Sequence, residues 1–253
     1  MITIAKKCTN FGDVCILESR NTGSRIYCQE GHYQSESDCN GVSLAAYVHA
    51  IYGLLAQTQA HEVLMIGCGG GNLGTMLAKA GYLVRVVDIN PDSITLARRY
   101  FSLPLEIACH VEDGLTFLKR SRTSYDAIIV DAFAGNTIPA HLRSPEFFQL
   151  ARRRLVASGC IFFNVFVGYD FDASANVIAD CMAEAFFRVR LLDARGKIDR
   201  NAIVMGGDVA DLTPPSLLVA PEVSCDELTA ELGCLRFQTS NHSGTRACHE
   251  SWN

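Results

Sequence analysis

The sequence predicts an α/β fold built on a doubly wound, mainly parallel sheet. Three observations support this prediction: short apolar runs alternate with helical patterns from residue 62 onward, a glycine-rich turn follows the first run, and an aspartate ends the next one. Strands that alternate with helices pack into a parallel sheet with right-handed crossovers. A small β-rich region precedes this core.

The N-terminal region reads as short strands followed by a helix. The β-rich runs 13–20 and 24–30 flank Asn-Thr-Gly at 21–23, which predicts a β-hairpin. Residues 43–57 place apolar groups at helical spacing, with Ser43 as the expected N-cap. We therefore assign residues 1–57 to a β-hairpin region plus helix.

The core is expected over residues 58–210, and a partly disordered C-terminal extension over 211–253. Ser144-Pro145-Glu146 has the pattern of an N-cap, an N1 proline and an early acid. The helix–strand pattern dissolves after about residue 208. The expected strands are 62–66, 82–88, 105–111, 125–131, 160–167, 187–193 and 202–207. The expected helices run from the glycine turn to about 81, from Pro91, over 113–119, from 145 to about 158, and over 172–186.

Composition excludes several classes of protein. The 253 residues carry a net charge of −5, which argues against a nucleic-acid partner. The N-terminus has no signal-like apolar region, and the longest apolar stretch, 160–167, is far short of a membrane span. We expect a cytoplasmic protein with neither a nucleic-acid nor a membrane partner.

The cysteines are expected to be free thiols and not metal ligands. The sequence has eleven of them, without a C-x-x-C pair of zinc spacing. Cys234, His242, Cys248 and His249 were the alternative metal ligands, but their spacing matches no closed zinc site. We expect no metal.

A nucleotide site is expected beyond the carboxyl ends of the parallel strands. The turn at 67–74, GCGGGNLG, lets the backbone approach a ligand, and the helix behind it presents unpaired N–H groups. Asp88 ends the next strand, where a carboxylate can accept hydrogen bonds from ribose hydroxyls. The alternative role of Asp88 is a loop cap.

The third strand end supplies another acid. Asp113 or its neighbouring backbone could meet the exocyclic amine of an adenine, and it could equally cap the following helix. The glycine turn has Asn72 where a dinucleotide fingerprint ends in Gly or Ala. A single adenosine moiety therefore suits this site better than a dinucleotide.

These stretches resemble the spermidine synthase (polyamine aminopropyltransferase) family of class I S-adenosylmethionine-dependent transferases. The resemblance lies in VLMIGCGGGNLG at 63–74, VVDINPDSITLARRYF at 86–101 and VEDGLTFLKRSRTSYDAIIVDAF at 111–133. It implies a Rossmann-like class I methyltransferase sheet with a small N-terminal β domain. A homo-oligomer, most simply a dimer, is also expected from the resemblance.

The resemblance also implies roles for individual residues. Asp131 falls at the position of the family's catalytic aspartate, and Gln34 and the Tyr47-x-His49 cluster fall near its substrate-facing residues. The proposed catalytic set is Asp131, Tyr47 and His141, and the donor-binding set is Gln34, Gly67, Gly69, Gly71, Asp88, Ile89, Asp113, Gly114 and Asp131.

Simpler structural roles stay open for three of these side chains. Asp131 could be a turn-forming acid, Tyr47 a core side chain, and His141 either a proton shuttle or a loop histidine that holds a backbone carbonyl. Phe133, in the loop after Asp131, could offer a sulfonium a cation–π face.

Two departures from the family bear on its chemistry. Ala134 stands where the family has a second aspartate that holds a polyamine, and Gly70 stands where an aspartate pairs with the ammonium of decarboxylated S-adenosylmethionine. An acid at residue 70 would repel the carboxylate of intact S-adenosylmethionine. We therefore expect the intact donor, not the decarboxylated one.

The expected function is transfer of an aminopropyl-type group from the sulfonium donor to a small-molecule amine. Asp131 would be the base or orienter for the amine. A methyltransferase and a non-catalytic nucleotide-binding module are the alternatives, because the fold and the glycine turn are compatible with all three.

Overall fold

The computed structural model describes residues 1–135 and 137–238. Its first part is a four-stranded antiparallel sheet whose strands follow chain order: β1 (Ile2–Thr9), β2 (Gly12–Glu18), β3 (Arg25–Gln29) and β4 (His32–Ser37). The β2–β3 hairpin has Glu18 opposite Arg25, so the predicted hairpin is confirmed. Val14, Ile16 and Tyr27 form its buried face.

The first helix is shorter than predicted. α1 spans Ala46–Leu55, and its N-cap position is Ala45, without a side-chain cap. Ser43, the predicted cap, lies three residues before the helix and accepts a hydrogen bond from the backbone N–H of Ala45 instead. The Ser43 carbonyl pairs with the ring of His49, which holds this stretch extended.

The second part is an eight-stranded sheet in the order β12-β10-β11-β9-β8-β5-β6-β7. Its strands are β5 (Glu62–Ile66), β6 (Leu83–Asp88), β7 (Ala108–Val111), β8 (Tyr125–Val130), β9 (Leu155–Val167), β10 (Val189–Asp193), β11 (Arg200–Gly207) and β12 (Arg236–Phe237). The helices are α2 (Asn72–Lys79), α3 (Pro91–Tyr100), α4 (Gly114–Arg120), α5 (Pro145–Arg153), α6 (Ser174–Ala183) and α7 (Cys225–Leu232).

Strands β5 to β9 are all parallel, which confirms the doubly wound α/β prediction. Each face of this sheet carries its own buried apolar cluster. One cluster packs α1 and α2 against the sheet, and the other packs α4, α5 and α6. Asn90 caps α3 and Ser144 caps α5, both directly before a proline.

Several of the predicted element boundaries were wrong. β7 begins at Ala108 and not at 105, and α5 ends at Arg153 while β9 already begins at Leu155. The apolar residues of 150–158 suit a helix as well as a strand. In the structure Leu155 pairs with Tyr125 of β8, before a register shift between Tyr125 and Ala127, so this stretch belongs to strand β9.

The expectation that regular structure ends near residue 208 was also wrong. α7 buries Leu228 and Leu232, and β12 pairs antiparallel with β10 at the sheet edge. Strands β10, β11 and β12 therefore make this end of the sheet antiparallel. The division into residues 1–57, 58–210 and 211–253 stays a prediction.

Ten cysteines lie within the described residues, and none of these forms a disulfide. Cys234 is exposed, whereas His242, Cys248 and His249 lie outside the described residues. In residues 1–135 and 137–238 no group of three or more His, Cys, Asp or Glu side chains could hold a metal ion. No helix in these ranges is long and apolar enough to span a membrane.

Candidate active site

A cavity of about 340 Å³ lies at the carboxyl ends of the parallel strands. Its wall combines the glycine turn after β5, the acids that follow β6, β7 and β8, and residues of β4 from the small sheet. Nine residues of the predicted site line it: Gln34, Gly67, Gly69, Asp88, Ile89, Asp113, Gly114, Asp131 and His141. Topology thus brings together most of the predicted site.

The glycine turn needs its glycines for two different reasons. Gly67, Gly69 and Gly71 have φ values of +101°, +49° and +69°, which disfavour any side chain. A Cβ at Gly67 would also stand 2.0 Å from the backbone oxygen of Asp131. Gly71 does not line the cavity. It is the N-cap residue of α2 and packs near Leu103.

Asp88 is held by the glycine turn. Its Oδ2 accepts a hydrogen bond from the backbone N–H of Cys68 and its Oδ1 from that of Asn90, both at 2.7 Å. Burial raises the pKa of the carboxyl to about 6, although both hydrogen bonds favour the charged form. Each oxygen keeps lone-pair capacity for a ligand hydroxyl, so the loop-cap role is compatible with the predicted ribose role.

Asp113 caps α4 and binds His141. Oδ1 accepts from the backbone N–H of Thr116 at 2.9 Å, while Oδ2 lies 2.6 Å from Nε2 of His141. Burial opposes its charge, but the hydrogen bonds from Thr116 and His141 bring the pKa of Asp113 below its usual value. His141, on a 3-10 turn at Ala140–Arg143, thus contacts a carboxylate and not a backbone carbonyl.

Asp131 ends β8 and accepts two side-chain hydrogen bonds. The hydroxyl of Tyr47 donates to Oδ2 at 3.1 Å, and the amide of Asn164 donates to Oδ1 at 2.8 Å. Asn201 donates to Oδ1 of Asn164 at 3.0 Å. Burial raises the pKa of Asp131, and the two hydrogen bonds partly offset that effect.

Tyr47 remains a neutral donor, because burial and the adjacent Asp131 carboxylate raise its pKa well above the usual value. It does not line the main cavity. It faces a neighbouring cavity of about 180 Å³ together with Asn164, Phe133 and Gln34. Phe133 and Gln34 line both cavities, whereas Asp131 lines the main one and its partners Tyr47 and Asn164 line the neighbouring one.

Sequence reasoning missed two residues and overstated a third. Asn164 could have been found, because it is the amide within the otherwise apolar run 160–167. Ser35, whose Oγ accepts from the backbone N–H of Gly70 at 3.0 Å, gave no signal in the sequence. His49 is buried against the Ser43 carbonyl and lines neither of these two cavities.

Comparisons with known proteins agree with this architecture. Residues 63–159 match the family model of a methyltransferase domain. A polyamine aminopropyltransferase of Vibrio vulnificus (strain CMCP6) is 30% identical over 159 residues, which are 60% of this chain and 52% of that protein. A probable spermidine synthase structure from Corynebacterium glutamicum superposes with a TM-score of 0.76 at 19% identity, and the match covers 94% of this chain and 91% of that one.

The chain is thus similar to polyamine aminopropyltransferases and spermidine synthases, and its fold is that of a class I methyltransferase. The chain spans about half of the length of the first curated relative it matches. Methyl transfer also occurs among the similar proteins: an N-terminal histidine N-methyltransferase of Emericella nidulans is 30% identical over 122 residues, covering 46% of this chain and 22% of that protein.

Proposed function

We propose that the chain transfers an aminopropyl-type group from a sulfonium nucleoside to a small-molecule amine. The single observation that carries this proposal is the position of Asp131, which lines the main cavity, the proposed donor cavity, and accepts hydrogen bonds from Tyr47 and Asn164, two residues that line the neighbouring one. A base for an incoming amine belongs between the two substrates.

The cavity suits an S-adenosylmethionine-type donor. Glycine is needed at two positions of the cavity wall where neighbouring backbone segments approach closely. A Cβ at Gly114 would lie 2.5 Å from the Ile66 side chain, and one at Gly67 would overlap the Asp131 backbone oxygen. Asp88 would bind the ribose hydroxyls, and Asp113 with Gly114 would meet the adenine beside the apolar side chains of Ile66 and Leu142. Acids around the cavity also suit the positive charge of a sulfonium.

The neighbouring cavity would hold the amine. Its nitrogen would attack the carbon of the aminopropyl-type chain that is bonded to sulfur. This step forms a C–N bond, breaks that C–S bond and releases methylthioadenosine, while the amine proton passes to the Asp131 carboxylate. Burial that raises the pKa of Asp131 helps it to take this proton. Tyr47 would orient the carboxylate, and Phe133 between the cavities would offer the sulfonium an aromatic face.

Methyl transfer is the second candidate, because the same sulfonium also carries a methyl group and methyltransferases occur among the similar proteins. Attack on the methyl carbon would release S-adenosylhomocysteine. The two reactions differ in which carbon points at the amine, and therefore in the nucleoside product.

One experiment tests both candidates. Purified protein is incubated with intact or decarboxylated S-adenosylmethionine and a panel of small amines, and the nucleoside product is identified by mass. Methylthioadenosine formed only with an amine supports the proposal, and S-adenosylhomocysteine supports methyl transfer. Methylthioadenosine without an amine indicates cyclisation of the donor, and neither product with a bound nucleoside indicates a non-catalytic module.

A further inference from the structure

The side chain of Ser35 lies in the space beside Gly70, which we call the Gly70 slot. Among the glycines of the turn 67–71, Gly70 is the one whose φ is not positive, so its backbone conformation tolerates a side chain. The obstacle is instead its surroundings. A Cβ at Gly70 would lie 3.0 Å from both Cβ of Ser35 and Oδ1 of Asn72, and 3.2 Å from Cδ1 of Phe101; the Asn72 amide ends a flexible side chain that can turn away, whereas Cβ of Ser35 is fixed to the β4 backbone.

Ser35 is held against this slot by a backbone hydrogen bond. Its Oγ accepts from the N–H of Gly70 at 3.0 Å and would lie 2.7 Å from a Cβ at Gly69. Because Oγ is the acceptor in that bond, the hydroxyl hydrogen can donate to a ligand. Ser35 lines the donor cavity, next to Gln34, whose amide is a second neutral donor.

The residues at positions 35 and 70 determine which charge on the donor is favoured beside the glycine turn. An acid at residue 70 would attract an ammonium and repel a carboxylate, whereas the Ser35 hydroxyl can donate to a carboxylate oxygen. We propose that Ser35 and Gly70 act as a pair that sets donor specificity, with Ser35 contacting the amino-acid head of intact S-adenosylmethionine. This inference rests on the proposed function and extends it to the residue that contacts the donor's head.

The two positions are expected to be coupled. Gly70→Asp alone should weaken binding of both nucleosides, since the new Cβ meets the Ser35 side chain. Ser35→Gly combined with Gly70→Asp removes that contact and places a carboxylate in the slot. The double variant should bind decarboxylated S-adenosylmethionine in preference to the intact form, a change in the ratio of dissociation constants of roughly 10- to 100-fold relative to the unaltered chain.

A matched control separates the steric effect of the Ser35 Cβ from the hydrogen-bonding effect of its hydroxyl. Ser35→Ala keeps the Cβ that obstructs residue 70, so Ser35→Ala with Gly70→Asp should not recover binding. Ser35→Ala alone should weaken the intact donor more than the decarboxylated one. Calorimetric titration of each folded variant with both nucleosides gives all of these constants without a turnover assay, and thermal melting identifies variants that do not fold.

The outcomes separate the two proposals. If the unaltered chain binds neither nucleoside, the proposed function fails. If it binds one of them but the ratio of dissociation constants does not change between the unaltered chain and the folded Ser35→Gly/Gly70→Asp variant, the assignment of Ser35 and Gly70 is overturned while the proposed function stands. If the double variant does not fold, Ser35→Ala decides: an unchanged ratio overturns the assignment.

Discussion

The side-chain amide of Asn164 donates a hydrogen bond to Oδ1 of Asp131 at 2.8 Å, and Asn201 donates in turn to Oδ1 of Asn164. Two amides from neighbouring strands β9 and β11 thus fix the orientation of the carboxylate at the end of β8. Hydrogen bonds to a carboxylate favour its charged form. The Asn164 hydrogen bond therefore counteracts the burial that raises the pKa of Asp131.

Replacing Asn164 should move the pH dependence of turnover. Asn164→Leu removes the hydrogen bond and adds apolar surroundings, and both changes disfavour the charged carboxylate, so the pKa of Asp131 should rise further. The acidic limb of the kcat/KM profile should therefore move to higher pH. Asn201→Ala is the control, since it leaves the Asn164–Asp131 contact in place and should shift the limb less. An unmoved limb in Asn164→Leu would contradict the assignment of Asp131 as the base.

Tyr47→Phe should reduce turnover more than it reduces donor affinity. The variant loses the hydroxyl that donates to Oδ2 of Asp131 at 3.1 Å but keeps the ring. We expect kcat to fall by about tenfold, equivalent to ~1.4 kcal/mol, with the donor dissociation constant within about twofold. Tyr52→Phe on the same helix is the matched control. Equal effects of the two substitutions would mean that Tyr47 serves packing alone.

Gly67→Ala should abolish donor binding, an effect larger than the strain of a positive φ alone would cause. Gly67 and Gly81 have φ values of +101° and +91°, but a Cβ at Gly81 meets nothing within 4 Å whereas one at Gly67 would strike the Asp131 backbone oxygen. Each substitution carries a backbone cost of ~1–3 kcal/mol. We expect Gly67→Ala to lose donor binding, and Gly81→Ala to keep it with only a lowered free energy of unfolding. Denaturant titration and calorimetry give both quantities, and normal binding by Gly67→Ala would refute the close approach.

The sequence predicts the strand ends well because parallel strands follow a simple rule. The apolar runs of β5, β6 and β8 place the glycine turn, Asp88 and Asp131 at one edge of the sheet without knowledge of any side-chain contact. The predicted cap role of Ser144 depends on a contact with Phe147, three residues away. Such local signals can be inferred from the chain alone.

Contacts between distant segments could not be predicted in the same way. Ser35 meets Gly70 because β4 of the small sheet lies against the glycine turn, and no periodicity encodes that approach. Asp113 was expected to cap a helix, but its partner His141 is 28 residues away in the chain. α7 and β12 were not predicted, because their stability comes from packing on α1 and pairing with β10 and not from a strong local pattern.

His141→Ala should affect donor binding rather than proton transfer. His141 Nε2 lies 2.6 Å from Oδ2 of Asp113, which ties the loop after β8 to the proposed adenine site. Its loss should raise the KM for the donor several-fold and leave the shape of the kcat–pH profile unchanged. Thr116→Val is the control, because it removes the Thr116 hydroxyl contact to Asp113 but keeps the loop attached. A fall in kcat with a lost limb of the pH profile would instead favour the proton-shuttle role.

Donor binding should strengthen as the pH rises through about 6, because burial raises the pKa of Asp88 to about 6. Below that pH the carboxyl is protonated and neutral, and above it the charged form attracts the sulfonium. Binding of a cation therefore lowers the pKa of Asp88, and donor binding near pH 6 should release a proton.

Calorimetry in two buffers with different ionisation enthalpies measures that proton directly. The release should persist in Asp131→Asn and disappear in Asp88→Asn, which separates the two buried acids. Methylthioadenosine has the same ribose without the positive charge, so it should release a smaller fraction of a proton. Proton release of equal size for the charged and neutral nucleosides would show that Asp88 responds to the ribose hydroxyls and not to the sulfonium charge.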